Sequence, residues 1–131
     1  MAFSNYLEKK LLELVFRNVA WTPPATVYVA LFNTLPAGDG TGGTEVSGAA
    51  YARQAITFGA ATGGSPTTIT SSALVQFPTA TASWGTINGA GIYDAATGGN
   101  LLEMGPLATP KTVGTGDAFA FPVSTYSVSQ S

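Results

Sequence analysis

From Thr26 onward, runs rich in β-branched and aromatic residues alternate with short breaks of Gly, Pro, Asn, Ser and Thr. The runs are "TVYVALFN", "YARQAITF", "SALVQF", "ASWGTI", "AGIYDA", "NLLEMG", "TPKTV", "AFAFPV" and "TYSVS". About nine short strands in about a hundred residues predict a mainly β fold, an antiparallel β-sandwich of jelly-roll type. "TVYVALFN" is apolar on both faces, as for a central strand covered on both sides. "GIYDAATGGNLLE" reads as a hairpin with the turn "ATGGN", where Gly98 and Gly99 supply positive φ and Asp94 bonds into the turn. In "SWGTI", Trp84 sits on a strand and buries a large area, and Gly85 permits a bulge or a close neighbour.

The N-terminal segment differs in kind. "NYLEKKLLELVFRNVA" places Leu7, Leu11, Leu14 and Val15 at helical spacing, with Leu12, Phe16 and Val19 widening the stripe. Asn5 and Glu8 resemble a capping box, and the pattern predicts a helix over residues 5–18. "WTPP", Trp21 to Pro24, is expected to end it. A stripe this wide is expected to pack on the rest of the domain rather than to face a partner. The expected organisation is a single domain over residues 1–131, with the sandwich at 26–129.

Only 9% of the residues are charged, against roughly a quarter in an average globular chain. From Phe77 to Leu102 the one charge is Asp94. The polar surface must then come from Thr, Ser, Asn, Gln and backbone, and a net charge of -2 does little to keep copies apart. Self-association or a permanent partner is therefore expected. Nucleic acid is not an expected partner, because of five basic residues three lie in the first seventeen positions and make no patch. The chain has no Cys and no His, which removes disulfides, thiolate metal sites and the commonest general base. The N-terminal apolar stretch is broken by Glu8, Lys9, Lys10, Glu13 and Arg17, unlike a signal peptide, and no apolar run reaches membrane-spanning length. Synthesis in a cytoplasm and no membrane partner are expected.

"GDGTGG" matches G-x-G-x-x-G at Gly38, Gly40 and Gly43, but no helical pattern follows and residues 54–93 carry no charge, so it reads as a loop between strands. After the helix the carboxylates are Asp39, Glu45, Asp94, Glu103 and Asp117. Asp94 and Glu103 flank one hairpin, yet turn capping and a solvated edge account for them without catalysis. Asp39 and Glu45 share a flexible loop without the acidic spacing of a calcium site. Trp21, Tyr28, Tyr51, Trp84, Tyr93 and Tyr126 read as core aromatics before they read as a sugar-stacking platform. No catalytic, metal or cofactor residues are assigned. Tyr6, Lys10, Arg17, Trp21 and Pro23 are the expected partner contacts, lying where a helix meets a rigid extended segment.

The order of segments, above all "TPPATVYVALF", "EVSGAAYARQAITF" and "FPTATASWGTI" followed by "GIYDAATGGNLL", resembles a family of small tailed-bacteriophage virion proteins from Met1 to about Val128. Its members are often labelled tail fibre proteins and are similar to jelly-roll cement proteins of phage heads. The resemblance implies a structural protein with no catalytic residues. The leading expectation is a cement protein on the capsid exterior that binds the major capsid protein and copies of itself as a dimer or trimer. The alternative is a tail or tail-fibre protein that binds host carbohydrate.

Overall fold

In the computed structural model, which describes residues 2–130, the order of elements is β1 (Ala2–Phe3), α1 (Asn5–Phe16), β2 (Val27–Thr34), β3 (Thr44–Glu45), β4 (Gln54–Ile56), β5 (Thr67–Thr70), β6 (Val75–Gln76), β7 (Gly85–Tyr93), β8 (Leu101–Val113), β9 (Ala120–Phe121) and β10 (Ser127–Gln130). The expected antiparallel sandwich with one N-terminal helix is the architecture observed. One layer runs β1-β8-β7-β2-β3, with β4 sharing the outer side of β2. The other is two pairs, β5 with β10 and β6 with β9.

β2 carries the core because it is apolar on both faces, and Val29, Ala30 and Leu31 have no exposed surface at all. Val29, Leu31, Ile87, Ile92 and Leu102 from the large sheet share one cluster with Val75, Phe77, Phe119, Phe121 and Tyr126 from the second layer. The aromatics form a row: Tyr51, Phe77, Phe119, Phe121, Tyr126 and Phe58 follow one another at centroid spacings of 6.0, 5.9, 5.1, 5.2 and 6.3 Å. Most of these contacts are edge-on, the arrangement the ring quadrupole favours. Trp84 meets Tyr51 edge-on at 5.5 Å and donates its indole N–H to the Ala49 carbonyl at 3.0 Å.

The β7–β8 hairpin forms as its turn residues dictate. Gly98 and Gly99 take φ of 61° and 74°, and Asp94 accepts from the Asn100 backbone N–H at 2.7 Å and its side chain at 3.0 Å. The small residues of "NGAGI" let the strands approach closely. A Cβ on Gly89 would lie 2.9 Å from the Gly105 carbonyl oxygen, and one on Gly91 2.9 Å from that of Glu103.

Several boundaries differ from the sequence reading. "ASWGTI" and "AGIYDA" are one strand, β7, and "NLLEMG" and "TPKTV" are one strand, β8. The apparent breaks are irregularities in pairing: Ile87 faces Lys111 but Gly89 faces Pro106, so Leu107 to Pro110 bulge out. β5, "TTIT", is not marked as a strand by the sequence, being polar and following Gly63, Gly64 and Pro66. Beyond Met104 the outer side of β8 has no strand partner among the described residues, and Pro106, Pro110 and Lys111 lie along it.

The helix is corrected at both ends. Its N-cap is Ser4, not Asn5: the Ser4 hydroxyl accepts from the Leu7 N–H at 3.2 Å and donates to the Leu101 carbonyl. The chain can turn there because Ser4 is extended, while Asn5 is already helical and gives its N–H to the Gly38 carbonyl at 2.8 Å. The helix stops at Phe16, before "WTPP", where Asn18 takes a left-handed φ of 54° and the Arg17 and Val19 N–H groups both reach the Glu13 carbonyl.

Candidate functional site

Three loops meet around Arg53, which the sequence left as the lone charge of a strand. The "GDGTGG" loop leads into β3, the segment after β3 leads to Arg53, and the β7–β8 turn reaches across from the other side. Arg53 holds Glu45 in a two-point ion pair, Nε to Oε2 and Nη2 to Oε1, both 2.9 Å. Its Nη1 donates to the carbonyls of Ala95 at 3.0 Å and Gly98 at 2.8 Å. The guanidinium lies 3.6 Å from the centroid of the Tyr93 ring. A planar fork stacked on an aromatic suits a partly buried pair better than a lysine would. Burial pulls the Arg53 pKa down, but the hydrogen bonds and charge of Glu45 outweigh it and hold it above the ordinary value.

Beside this knot lies a cleft of about 340 Å³ between Asp39 and Gly40 on one loop and Gly98, Gly99 and Asn100 on the other. Tyr51 closes the knot from below: its hydroxyl donates to Glu45 at 2.7 Å and accepts from the Leu31 N–H at 3.0 Å. Burial first, opposed by the Leu31 N–H and helped by the hydrogen bond to Glu45 and its charge, pushes the Tyr51 hydroxyl well above its usual range.

The carboxylates weighed in the sequence have separate partners. Asp39 accepts from the Thr41 N–H and hydroxyl, which hold its pKa below the usual value. Asp94 caps the hairpin turn and Asp117 accepts from the Gly114 N–H at 2.8 Å. Glu103 does not line a solvated edge as expected. It is 2% exposed, takes the Tyr126 hydroxyl at 2.8 Å on Oε1, and leaves Oε2 without a partner. Burial pushes its carboxyl up to about 7, with the Tyr126 hydrogen bond opposing in part. Of the six aromatics considered, Trp84 and Tyr126 are buried, Tyr51 packs against the core, and Tyr93 stacks between Phe32 and Arg53. No group of three metal-ligating side chains occurs among the described residues, and no helix there is long and apolar enough to cross a membrane.

The helix stripe does not pack as expected. None of its residues is buried: Leu7, Leu11 and Leu14 are half-buried, while Leu12, Val15 and Phe16 are 58, 66 and 78% exposed, followed by Val19 at 40%. One step along a helix turns the side chain by about 100°, so 7, 11 and 14 face the body and 12, 15 and 16 face away. Among the five expected contact residues, Tyr6 packs against the core with Lys10 5.7 Å over its ring, and Arg17 pairs with Glu13 at 3.5 Å. Trp21 is half-buried and Pro23 exposed beyond the helix end. The sequence gives no sign that the apolar residues between them face outward, because a wide stripe normally faces a core.

The charged groups of this site, Arg53, Glu45 and Asp94, tie its loops and turns together. Residues 2–129 match the family model described as podophage GP4 fiber I protein gp80. The chain belongs to that family and is a structural protein of the tailed-phage virion. No curated protein matches it.

Proposed function

We propose that the chain is a subunit of the phage's fibre apparatus, a non-enzymatic module that presents its loop end outward. The family match carries this reading, since the description of that family is a fibre protein. The Arg53 knot supports it physically. Host-surface recognition is commonly carried by loops on a rigid scaffold, and here Arg53 links Glu45 to the β7–β8 turn. The cleft between Asp39 and Asn100 has the polar lining that a host carbohydrate would require.

The second reading is a head cement protein that binds the major capsid protein across subunit junctions. The outward apolar face of α1 favours it, because a small subunit lying on a shell needs such a face, and many copies make weak contacts strong in sum. Quantitative mass spectrometry of separated heads and tails decides between them. A few copies per particle confined to tails are expected. Hundreds on heads would overturn the fibre reading and support the capsid exterior.

A further inference from the structure

The cleft beside Arg53 adjoins a second one of about 360 Å³, walled by the segment after β3 and by Ala96 and Thr97 of the β7–β8 turn. Arg53 and Gly98 belong to the walls of both. We propose that the two clefts together bind an uncharged oligosaccharide, one sugar unit in each, and reject acidic sugars. This rests on the reading of the loop end as the host-binding end and adds to it the class of ligand.

The rejection of acids follows from how Arg53 is engaged. No lysine and no other arginine lines either cleft among the described residues. Arg53 turns Nε and Nη2 to Glu45, gives Nη1 to the Ala95 and Gly98 carbonyls, and lays its flat face on Tyr93. No free cation is left to meet a carboxylate or a phosphate. The first cleft offers acceptors instead. Asp39 takes both Thr41 hydrogen bonds on Oδ1, and Asn100 gives its backbone and side-chain N–H groups to Asp94. Oδ2 of Asp39 and the side-chain carbonyl of Asn100 are thereby left to accept from a ligand. The Thr41 bonds also favour the ionised form of Asp39. Sugar hydroxyls can donate to such atoms, whereas an acidic sugar brings a charge that Asp39 repels and nothing neutralises.

The second cleft complements the first, since Val46, Ala52 and Ala96 give it an apolar wall for the C–H face of a sugar ring. Its shape is set in advance. Gly48, Ala49 and Ala50 stand in succession at left-handed φ of 69°, 51° and 68°, a conformation that is costly for alanine. They are held there by the Trp84 indole and the Thr81 N–H, which donate to the Ala49 carbonyl at 3.0 and 3.2 Å. With Arg53 fixing the turn opposite, little freedom is lost when a ligand enters.

The test places the full chain on an array of neutral hexose and deoxyhexose oligosaccharides beside matched ones that carry uronic or sialic acid. Binding confined to neutral oligosaccharides is expected. In NMR titrations of the best of them, Asp39→Asn and Ala96→Trp are each expected to weaken binding about fivefold or more. Both side chains are exposed, so the thermal melt is expected to stay unchanged. A preference for acidic oligosaccharides, or neutral binding indifferent to both substitutions, would overturn the inference and leave the fibre reading standing. Binding to no oligosaccharide would overturn it together with the carbohydrate part of that reading, while the counts in heads and tails test the fibre assignment separately.

Discussion

Glu103 shows how one side chain sets a condition on the whole core. In the unfolded chain its carboxyl titrates near 4.5, and in the folded chain burial raises this to about 7. The folded state therefore favours the protonated acid, so the stabilising contribution is complete below about 4.5, declines as pH rises, and is gone above about 7. A gap of about two and a half units corresponds to about 3 kcal/mol. Glu103→Gln keeps a neutral group of the same shape beside Tyr126. Denaturant unfolding of wild type and E103Q across pH 4–8 is expected to show the variant gaining about 3 kcal/mol relative to wild type by pH 8. A difference that does not vary with pH would refute this. The sequence placed Glu103 on a strand, but whether a glutamate at a strand end points to water or to core depends on Tyr126, 23 residues away.

At the scale of elements, local chemistry was legible where it decides structure by itself. The β7–β8 turn follows from "ATGGN", and the central place of β2 from its two apolar faces. The helix was visible as a period, but its orientation was not. Periodicity shows that 7, 11, 14 and 12, 15, 16 form two adjacent apolar strips, and only the packing against β1 and β8 shows which one faces inward. The cap is illegible in the sequence for a related reason. Asn5 and Glu8 fit a local capping pattern, whereas Ser4 is fixed by β8, through its own N–H to the Leu102 carbonyl at 2.8 Å and its hydroxyl to Leu101. Ser4→Ala is accordingly expected to lose about 1–2 kcal/mol in urea unfolding, and Asn5→Ala less than about 0.5. Equal losses would mean that the tie to β8 contributes nothing. The Arg53 knot was beyond local reading for the same reason, since Glu45, Tyr93 and Gly98 reach it from three separate elements.

At the scale of the whole molecule, a mostly neutral surface leaves little charge to keep copies of the chain apart. Any sheet that ends in an open strand invites a second sheet to continue it, and a chain without charges offers little to prevent this. Here the long outer strand β8 carries Pro106 and Pro110, which have no N–H to give, and bulges between them. The other outer strands of the large sheet, β1, β3 and β4, are only two or three residues long. Replacing the two prolines, as in Pro106→Val with Pro110→Thr, is expected to leave the fold intact and raise light scattering on concentration. Scattering no different from wild type would deny the prolines this role. The bulged, proline-bearing strand is thus expected to act on the timing of assembly, letting newly made copies accumulate in solution instead of growing into filaments before a particle exists to receive them.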